Sequence, residues 1–139
     1  MSQAGILNSG STPPPPSGQV LVWEVSPEID FKVTGLTTVF TTPSNQQFMP
    51  IAYSILTDSY TGIVAPGIYN LGITGPNYDD YASTAAGPFS TTTNNFVPTF
   101  FDQNDIPVVP ISTPVKVNVT QAANATTATG RIFVMGFYF

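Results

Sequence analysis

Two groups of carboxylates are the side chains best suited to chemistry: Asp79-Asp80 and the segment Asp102-Gln103-Asn104-Asp105. Brought together in a cleft, they could act as the acid pair of a glycosidase or as oxygen ligands for Ca²⁺. The second segment lacks the glycine and the closing glutamate of an EF-hand loop, and neither group follows another known ligand spacing. Because aspartate readily stabilises turns, we interpret both groups as turn residues, with calcium binding and glycan hydrolysis as the alternatives.

Nucleophilic, redox and nucleotide chemistry all lack their usual residues. The chain has no histidine and no cysteine, which removes the commonest general base, thiolates and disulfides. A serine hydrolase would then need a lysine base, but neither Lys32 nor Lys116 lies in a Ser-x-x-Lys pattern. No glycine-rich phosphate-binding motif occurs either. We therefore expect a protein that is not an enzyme and that needs no metal or cofactor.

The charge balance narrows the range of partners. Only Lys32, Lys116 and Arg131 are basic, against eight acids, so the net charge of −5 argues against nucleic-acid binding. Charged residues make up 8% of the chain, compared with about 25% in an average soluble domain. Such a composition is typical of proteins packed in assemblies or working outside cells. The start of the chain lacks a signal-peptide pattern, and no apolar run approaches the ~20 residues of a membrane span. We expect synthesis in a cytoplasm and no membrane partner.

The last eight residues favour binding over chemistry. Residues 132–139 are seven apolar or aromatic residues and one glycine, without the polar alternation of a half-buried strand. Strand geometry places Ile132, Val134 and Tyr138 on one face. The opposite face carries Phe133, Met135, Phe137 and Phe139. The sequence predicts that one face packs in the core and that the other contacts a second copy or a partner. The candidate subunit-contact residues are Phe133, Met135, Phe137 and Phe139, but the pattern alone leaves open which face lies in the core.

Further aromatic residues fall in predicted loops. Tyr60, Tyr78 and Tyr81 could stack on sugar rings or press against another subunit. Tyr78 and Tyr81 mark a candidate ligand loop, but we favour the subunit hypothesis because the last strand already requires a partner. Phe100 and Phe101 are consecutive, so one is expected in the core and the other needs a cover.

The elements that must position these residues are short β-prone runs, separated from Gln19 onward by Gly, Pro, Asn and Asp. The predicted strands are Val20 to Val25, Ile29 to Val33, Thr37 to Thr42, Gln47 to Thr57, Gly67 to Ile73, Asn95 to Phe101, Val115 to Thr120 and Arg131 to Phe139. No long stretch keeps a helical period, and fourteen prolines are scattered along the chain. We predict an all-β fold: an antiparallel β-sandwich of jelly-roll type over residues 19–139, with long loops including 74–94. An immunoglobulin-like sandwich is the alternative.

An extended, proline-rich N-terminal arm is predicted for residues 1–18. Pro13 to Pro16 favour polyproline II, and the preceding Ser, Gly and Asn residues are flexible. We expect Ile6 and Leu7 to dock on a neighbouring molecule. The alternative is a disordered leader without a role.

Several segments, in order along the chain, resemble a known family. They are Thr37 to Pro43 with Phe48-Met49-Pro50-Ile51-Ala52, then Thr57 to Gly62, Tyr69 to Asp80, and Val117-Asn118-Val119-Thr120 through Gly136-Phe137-Tyr138. Over residues 37 to 139, this pattern resembles the small jelly-roll modules of tailed-bacteriophage tail, fibre and head-decoration proteins. The turn at residues 44–47 departs from the family pattern, because it lacks the usual glycine and basic residue.

The resemblance implies a non-enzymatic virion structural protein that acts through subunit contacts. It would be a head decoration or cement protein, or a tail or fibre component, with no catalytic residues to carry over. Its expected partners are further copies of itself, with a trimer expected first, and other virion proteins such as the major capsid or tail protein. The alternative is a receptor- or carbohydrate-binding module of a tail fibre that uses the 74–94 loop.

Overall fold

The computed structural model describes residues 20–88, 98–102 and 105–139. In these ranges the chain forms nine strands and no helix, which confirms the predicted all-β fold. The strands are β1 (Leu21–Val25), β2 (Ile29–Asp30), β3 (Gly35–Thr41), β4 (Phe48–Thr61), β5 (Gly67–Gly72), β6 (Ala82–Gly87), β7 (Thr99–Phe100), β8 (Pro114–Gln121) and β9 (Thr127–Tyr138). None of the described residues belongs to a helix long and apolar enough to cross a membrane.

The strands form two antiparallel sheets, and their order is that of a jelly roll. One sheet runs β1-β9-β4-β7, with β2 also paired to β9, and the other runs β3-β8-β5-β6. Because β1 and β2 both pair with β9, they act as one interrupted strand. The pairings then nest: first with last, β3 with β8, β4 with β7, and β5 with β6. Winding up this long hairpin adds the β4–β9 and β5–β8 pairs, which confirms the jelly-roll sandwich and rules out the immunoglobulin-like alternative.

The core lies between the two sheets and follows from the alternation of side chains along each strand. In β8, Val115, Val117 and Val119 are buried, whereas the residues between them are half-buried. Aromatic side chains fill the remaining space, as in the edge-to-face contact of Phe31 with Tyr69 at 5.6 Å between ring centroids. The sandwich is therefore held by apolar burial between two faces that the sequence pattern already marks as apolar.

Several strands differ from the sequence prediction, and β2 is shorter than predicted, ending at Asp30 and not at Val33. Strand β6 lies inside the predicted 74–94 loop, because its small residues Ala82 to Gly87 carry no strong β-propensity. Strand β4 continues to Thr61, so Tyr60 lies in a strand and is buried, not in a loop. Strand β9 begins at Thr127, four residues before the predicted start. Residues 95–97 of the predicted Asn95 to Phe101 strand lie outside the described residues, as does the predicted arm.

Candidate subunit interface

Strand β9 runs through the middle of its sheet, between β1 and β4, and its two faces have different environments. Ile132 and Val134 are buried in the core. Phe133, Met135 and Phe137 are half-buried and point to the outer side of the sheet. The structure thus decides what the sequence left open: Phe133 belongs to the outer face, not to the sandwich core.

Neighbouring strands extend this surface, because residues paired across antiparallel strands share a face. Three rows cross the sheet: Leu21–Phe137–Met49, Trp23–Met135–Ala52–Phe100 and Val25–Phe133–Ser54. We call the large side chains in these rows the outer apolar face; they are Leu21, Trp23, Val25, Met49, Phe100, Phe133, Met135 and Phe137. Glu24, the only charged residue of β1, points to the other side, where its carboxylate accepts a hydrogen bond from the Tyr138 hydroxyl. The three rows therefore carry no charge, and the nearest charges on this side of β9 are Arg131, in the row with Leu56, and Asp58, whose carboxylate lies 3.4 Å from the Arg131 guanidinium.

Much of this surface is exposed to solvent in the single chain. Phe100 is 66% exposed, Leu21 59% and Val25 41%. Beneath the larger side chains lie the small residues Ala52 and Ser54, both buried. Contiguous exposed apolar patches on soluble domains commonly mark interaction sites. This patch has the composition of such a site, because aromatic and methionine side chains are enriched at protein interfaces.

Apart from the exposed Leu36, the outer face of the other sheet is polar, and it is partly covered by the chain itself. It carries Lys116, Asn118 and Asn70. The backbone oxygen of Asn77, in the loop between β5 and β6, accepts hydrogen bonds from the side-chain amides of Asn70 at 3.1 Å and Asn118 at 3.3 Å. The Lys116 ammonium lies 5.5 Å from the centre of the Tyr78 ring. Only one of the two sheets therefore presents an apolar outer surface.

The candidate ligand loop is firmly held on this polar face. One oxygen of the Asp80 carboxylate accepts the backbone N–H groups of Ile73 at 2.6 Å and Thr74 at 2.8 Å. Asp80 is therefore a turn-stabilising residue, as the sequence predicts. Tyr78 is half-buried and its backbone adopts a left-handed conformation with φ of 54°. Its ring lies against the chain's own Lys116, which limits the area it offers to a ligand.

Tyr81 is buried, and the prediction that it lies in an exposed loop is wrong. Its hydroxyl donates a hydrogen bond to the Pro107 carbonyl at 3.0 Å, and its ring packs 5.8 Å from that of Phe101. Phe101 also stacks on Tyr53 at 5.6 Å, whereas its neighbour Phe100 points outward. The physical reason is strand β6: its pairing with β5 draws the preceding residue into the core. The prediction that one of this pair lies in the core is confirmed by Phe101, and a cover for Phe100 stays a prediction.

We expect alkaline pH to destabilise the fold through its buried tyrosines. Burial raises the pKa of Tyr81, with a further contribution from Asp80, and burial together with Tyr53 raises the pKa of Tyr69. In the unfolded chain both hydroxyls ionise near pH 10, so the folded state keeps protons that the unfolded state releases. This stabilisation is complete below about pH 10 and declines above it, by up to ~1.4 kcal/mol per pH unit for each tyrosine.

Urea unfolding across this pH range measures the effect. Tyr81→Phe is the matched variant, because it keeps the ring and removes one ionising group, so its free energy of unfolding should fall less steeply. A slope identical to that of the wild type would show that Tyr81 ionises equally in both states.

The second carboxylate group also lies in a turn. The Asp102 carbonyl accepts the backbone N–H groups of Asp105 and Ile106, each at 3.1 Å. Gln103 and Asn104, which lie between Asp102 and Asp105 in the chain, are outside the described residues. Within the described part of the chain, no three acidic side chains are close enough to hold a metal ion. Calcium ligation and acid catalysis therefore gain no support from the arrangement of these residues.

The site residues predicted from the sequence differ in where they lie. Phe133, Met135 and Phe137 share the outer apolar face, and the exposed Phe139 ring lies 6.2 Å from that of Phe137. Ile6 and Leu7 lie outside the described residues. Sequence reasoning missed Leu21, Trp23 and Val25. The segment Leu21-Val22-Trp23-Glu24-Val25 has four apolar residues of five, which is the same pattern that singled out the last strand.

Comparisons with known proteins point to one solved structure. No protein-family model matches the chain, and no curated protein matches it. The chain is similar to a chain of the structure described as "Cyanophage Pam1 capsid asymmetric unit", with a TM-score of 0.56 and 19% sequence identity. The similarity covers 97% of this chain and 98% of that chain. At this identity the likeness shows a shared fold, and it extends over nearly the whole of both molecules.

Proposed function

We propose that this protein is a non-enzymatic structural component of a bacteriophage capsid, which assembles through the outer apolar face of its β1-β9-β4-β7 sheet. The observation that carries the proposal is the contrast between the two sheets. One outer face is polar and covered by the chain's own loop, and the other presents exposed Leu, Val and Phe side chains on regular strands. Burying such a surface gains roughly 25 cal/mol per Å² before the costs of association.

The capsid location rests on the fold comparison and on composition. A full-length likeness to a chain of a cyanophage capsid supports the head over the tail or fibre. A chain without cysteine or histidine and with 8% charged residues has little to offer catalysis and suits a permanently packed position. The resemblance of residues 37–139 to phage jelly-roll modules agrees with a decoration or cement role.

The assembly we propose is a homo-oligomer, with a trimer expected first. The three rows of the outer apolar face end at β1, whose exposed Leu21 and Val25 border the sheet. The chain that precedes β1 begins at this border, so an arm of residues 1–18 could reach a neighbouring subunit. Pro13 to Pro16, at about 3.1 Å per residue in polyproline II, would give this arm a stiff section of roughly 12 Å.

The carbohydrate-binding alternative is weaker. It needed two exposed tyrosines in the loop after β5, but Tyr81 is buried and Tyr78 packs on Lys116. No described feature of this loop favours a sugar over solvent, so we do not propose this function.

Mass spectrometry of purified particles tests the proposal. In virions of the phage that encodes the chain, separated into heads and tails, we expect the protein in the head fraction at a fixed ratio to the major shell protein. Detection only in tails would show that the capsid location is wrong. Absence from both fractions would overturn the virion role altogether.

A further inference from the structure

Three loops meet at one end of the sandwich and are tied together by backbone hydrogen bonds. The central loop, residues 122–126, joins β8 to β9. On one side Ala123 N donates to Phe31 O at 2.8 Å. On the other side Asn124 O accepts from Val64 N at 2.8 Å and from Ala65 N at 3.0 Å. The loop after β2 and the loop after β4 are thus both fixed to the same central segment.

Side chains fix this end further. The Lys32 ammonium donates to the Thr126 carbonyl at 2.8 Å, and the Asp30 carboxylate accepts the Lys32 backbone N–H at 2.9 Å. The turn is closed by a hydrogen bond from Val33 N to Asp30 O at 3.1 Å. The positive charge of Lys32 is therefore directed back onto the chain's own backbone.

On this fixed backbone, three apolar side chains are exposed to solvent. Val64 is 73% exposed, Val33 62% and Ile63 47%. We call these three residues the loop tip. The surrounding segments 61–66 and 121–129 contain no charged residue. The loop tip is separate from the outer apolar face, because it lies at the ends of the strands, whereas that face runs along them.

We propose that the loop tip is the surface that docks the protein onto a different protein of the particle, at an apolar patch bordered by basic side chains. This inference rests on the proposed capsid function. It names the residues through which the protein would contact another protein of the particle. At this end the exposed acids Glu28 and Asp30 outnumber the exposed Lys32, whose ammonium is already bonded to the Thr126 carbonyl, so the border of the loop tip is net acidic. The tip of a second copy, or an anionic membrane, would bring like charges together, whereas a basic border would complement them.

Because the two surfaces are separate, both can be occupied at once: copies associate through the outer apolar face while each loop tip contacts the shell. An oligomer would then attach through several tips, which raises its apparent affinity without requiring a strong single contact. A small apolar tip of three side chains is sufficient under those conditions.

Binding of purified protein to heads of the same phage, prepared without this gene product, tests the inference. The variants are I63D/V64D and, on the adjacent loop, Val33→Asp. Ile111→Asp is the matched control, because Ile111 is 49% exposed and precedes β8, at the opposite end of that strand from residues 122–126. We expect the loop-tip variants to keep the wild-type oligomer mass and melting temperature but to bind heads at least about tenfold more weakly. Wild-type binding should also weaken several-fold between about 50 and 500 mM NaCl, because salt screens charge pairs.

The outcomes separate this inference from the proposed function. If wild type binds heads and the loop-tip variants bind equally well, the loop tip is not the docking surface. If the variants change the oligomer mass, the tip is a contact between copies and the inference is wrong. Binding that does not weaken with salt would show that the partner's apolar patch has no basic border, and that part of the inference would be wrong. If wild type itself fails to bind heads and is absent from virions, the proposed function fails, and this inference fails with it.

Discussion

Gly136→Ala is expected to destabilise the sandwich by about 3 kcal/mol or more, and to leave much of the protein unfolded or insoluble. Gly136 lies on the inner face of β9, paired with Val22 on one side and Pro50 on the other. A methyl group there would collide with the backbone oxygen of Met49 and would lie 2.6 Å from Cζ of Phe48. Neither neighbour can move easily, because the carbonyl belongs to the β4 strand and the Phe48 ring is fully buried.

The size of this effect follows from what Phe48 does. Its ring packs 4.9 Å from both Phe40 and Tyr138, which joins the two sheets at this end of the core. Displacing the ring would open those contacts as well as the strand pairing. Since a domain of this size is stable by only about 5–15 kcal/mol, a loss of this magnitude is severe.

Gly87→Ala is the matched control for Gly136→Ala. A methyl group at Gly87 would meet the flexible Cδ1 end of the Ile55 side chain at 3.0 Å, not a backbone atom. We expect that variant to lose less than about 1 kcal/mol. Urea unfolding followed by circular dichroism measures both variants. Equal stabilities for the two would show that the space at Gly136 is not limiting.

Leu21→Asp and Phe137→Asp are expected to dissociate the oligomer while leaving each chain folded. The two residues are paired across β1 and β9, and both point away from the core. Burying each side chain in a subunit contact contributes about 1.5–3 kcal/mol, and a carboxylate placed there would be desolvated without a partner. Because a symmetric assembly repeats the substitution in every subunit, we expect its dissociation constant to rise by a factor of ~10³ or more.

Native mass spectrometry and sedimentation velocity measure the oligomer, and thermal unfolding measures the fold. Leu36→Asp is the control for Leu21→Asp and Phe137→Asp, since it places the same acid at an exposed leucine on the opposite sheet. It should assemble as the wild type does. If Leu21→Asp and Phe137→Asp also retain the wild-type mass, the outer apolar face is not the subunit contact. A purified wild-type chain that stays monomeric would lead to the same conclusion.

The folding and assembly variants together test separately the packing of the inner face of β9 and the proposed subunit contact of its outer face. A substitution on its inner face, at Gly136, should affect the unfolding free energy, and one on its outer face, at Phe137, should affect the oligomer mass. Phe133→Asp belongs with the second group, because Phe133 pairs with Val25 on the outer side.

Local pattern was enough to predict the class of fold and most of the strands. Alternating Val115, Val117 and Val119 identify a strand with one buried face, because side chains in a strand alternate between its two sides. The sequence prediction missed β6 because it relied on this same alternation of large and polar side chains. Ala82 to Gly87 has side chains too small to give a periodic pattern, and that strand forms because β5 offers it hydrogen bonds. Tyr81 directly precedes β6, so the prediction that it is exposed is wrong for the same reason.

Residue types and their alternation predict an all-β sandwich and a last strand with two apolar faces, and they exclude histidine and cysteine chemistry. These properties depend on residue types and on the two-residue period of a strand, both of which are local. The strand pairings were needed to establish which face of β9 lies outside, that Leu21, Val25 and Phe100 join it, and that a loop covers part of the other sheet. Those facts depend on pairings between strands as far apart as β1 and β9, whose register is set by packing of the whole core and not by any neighbouring residue.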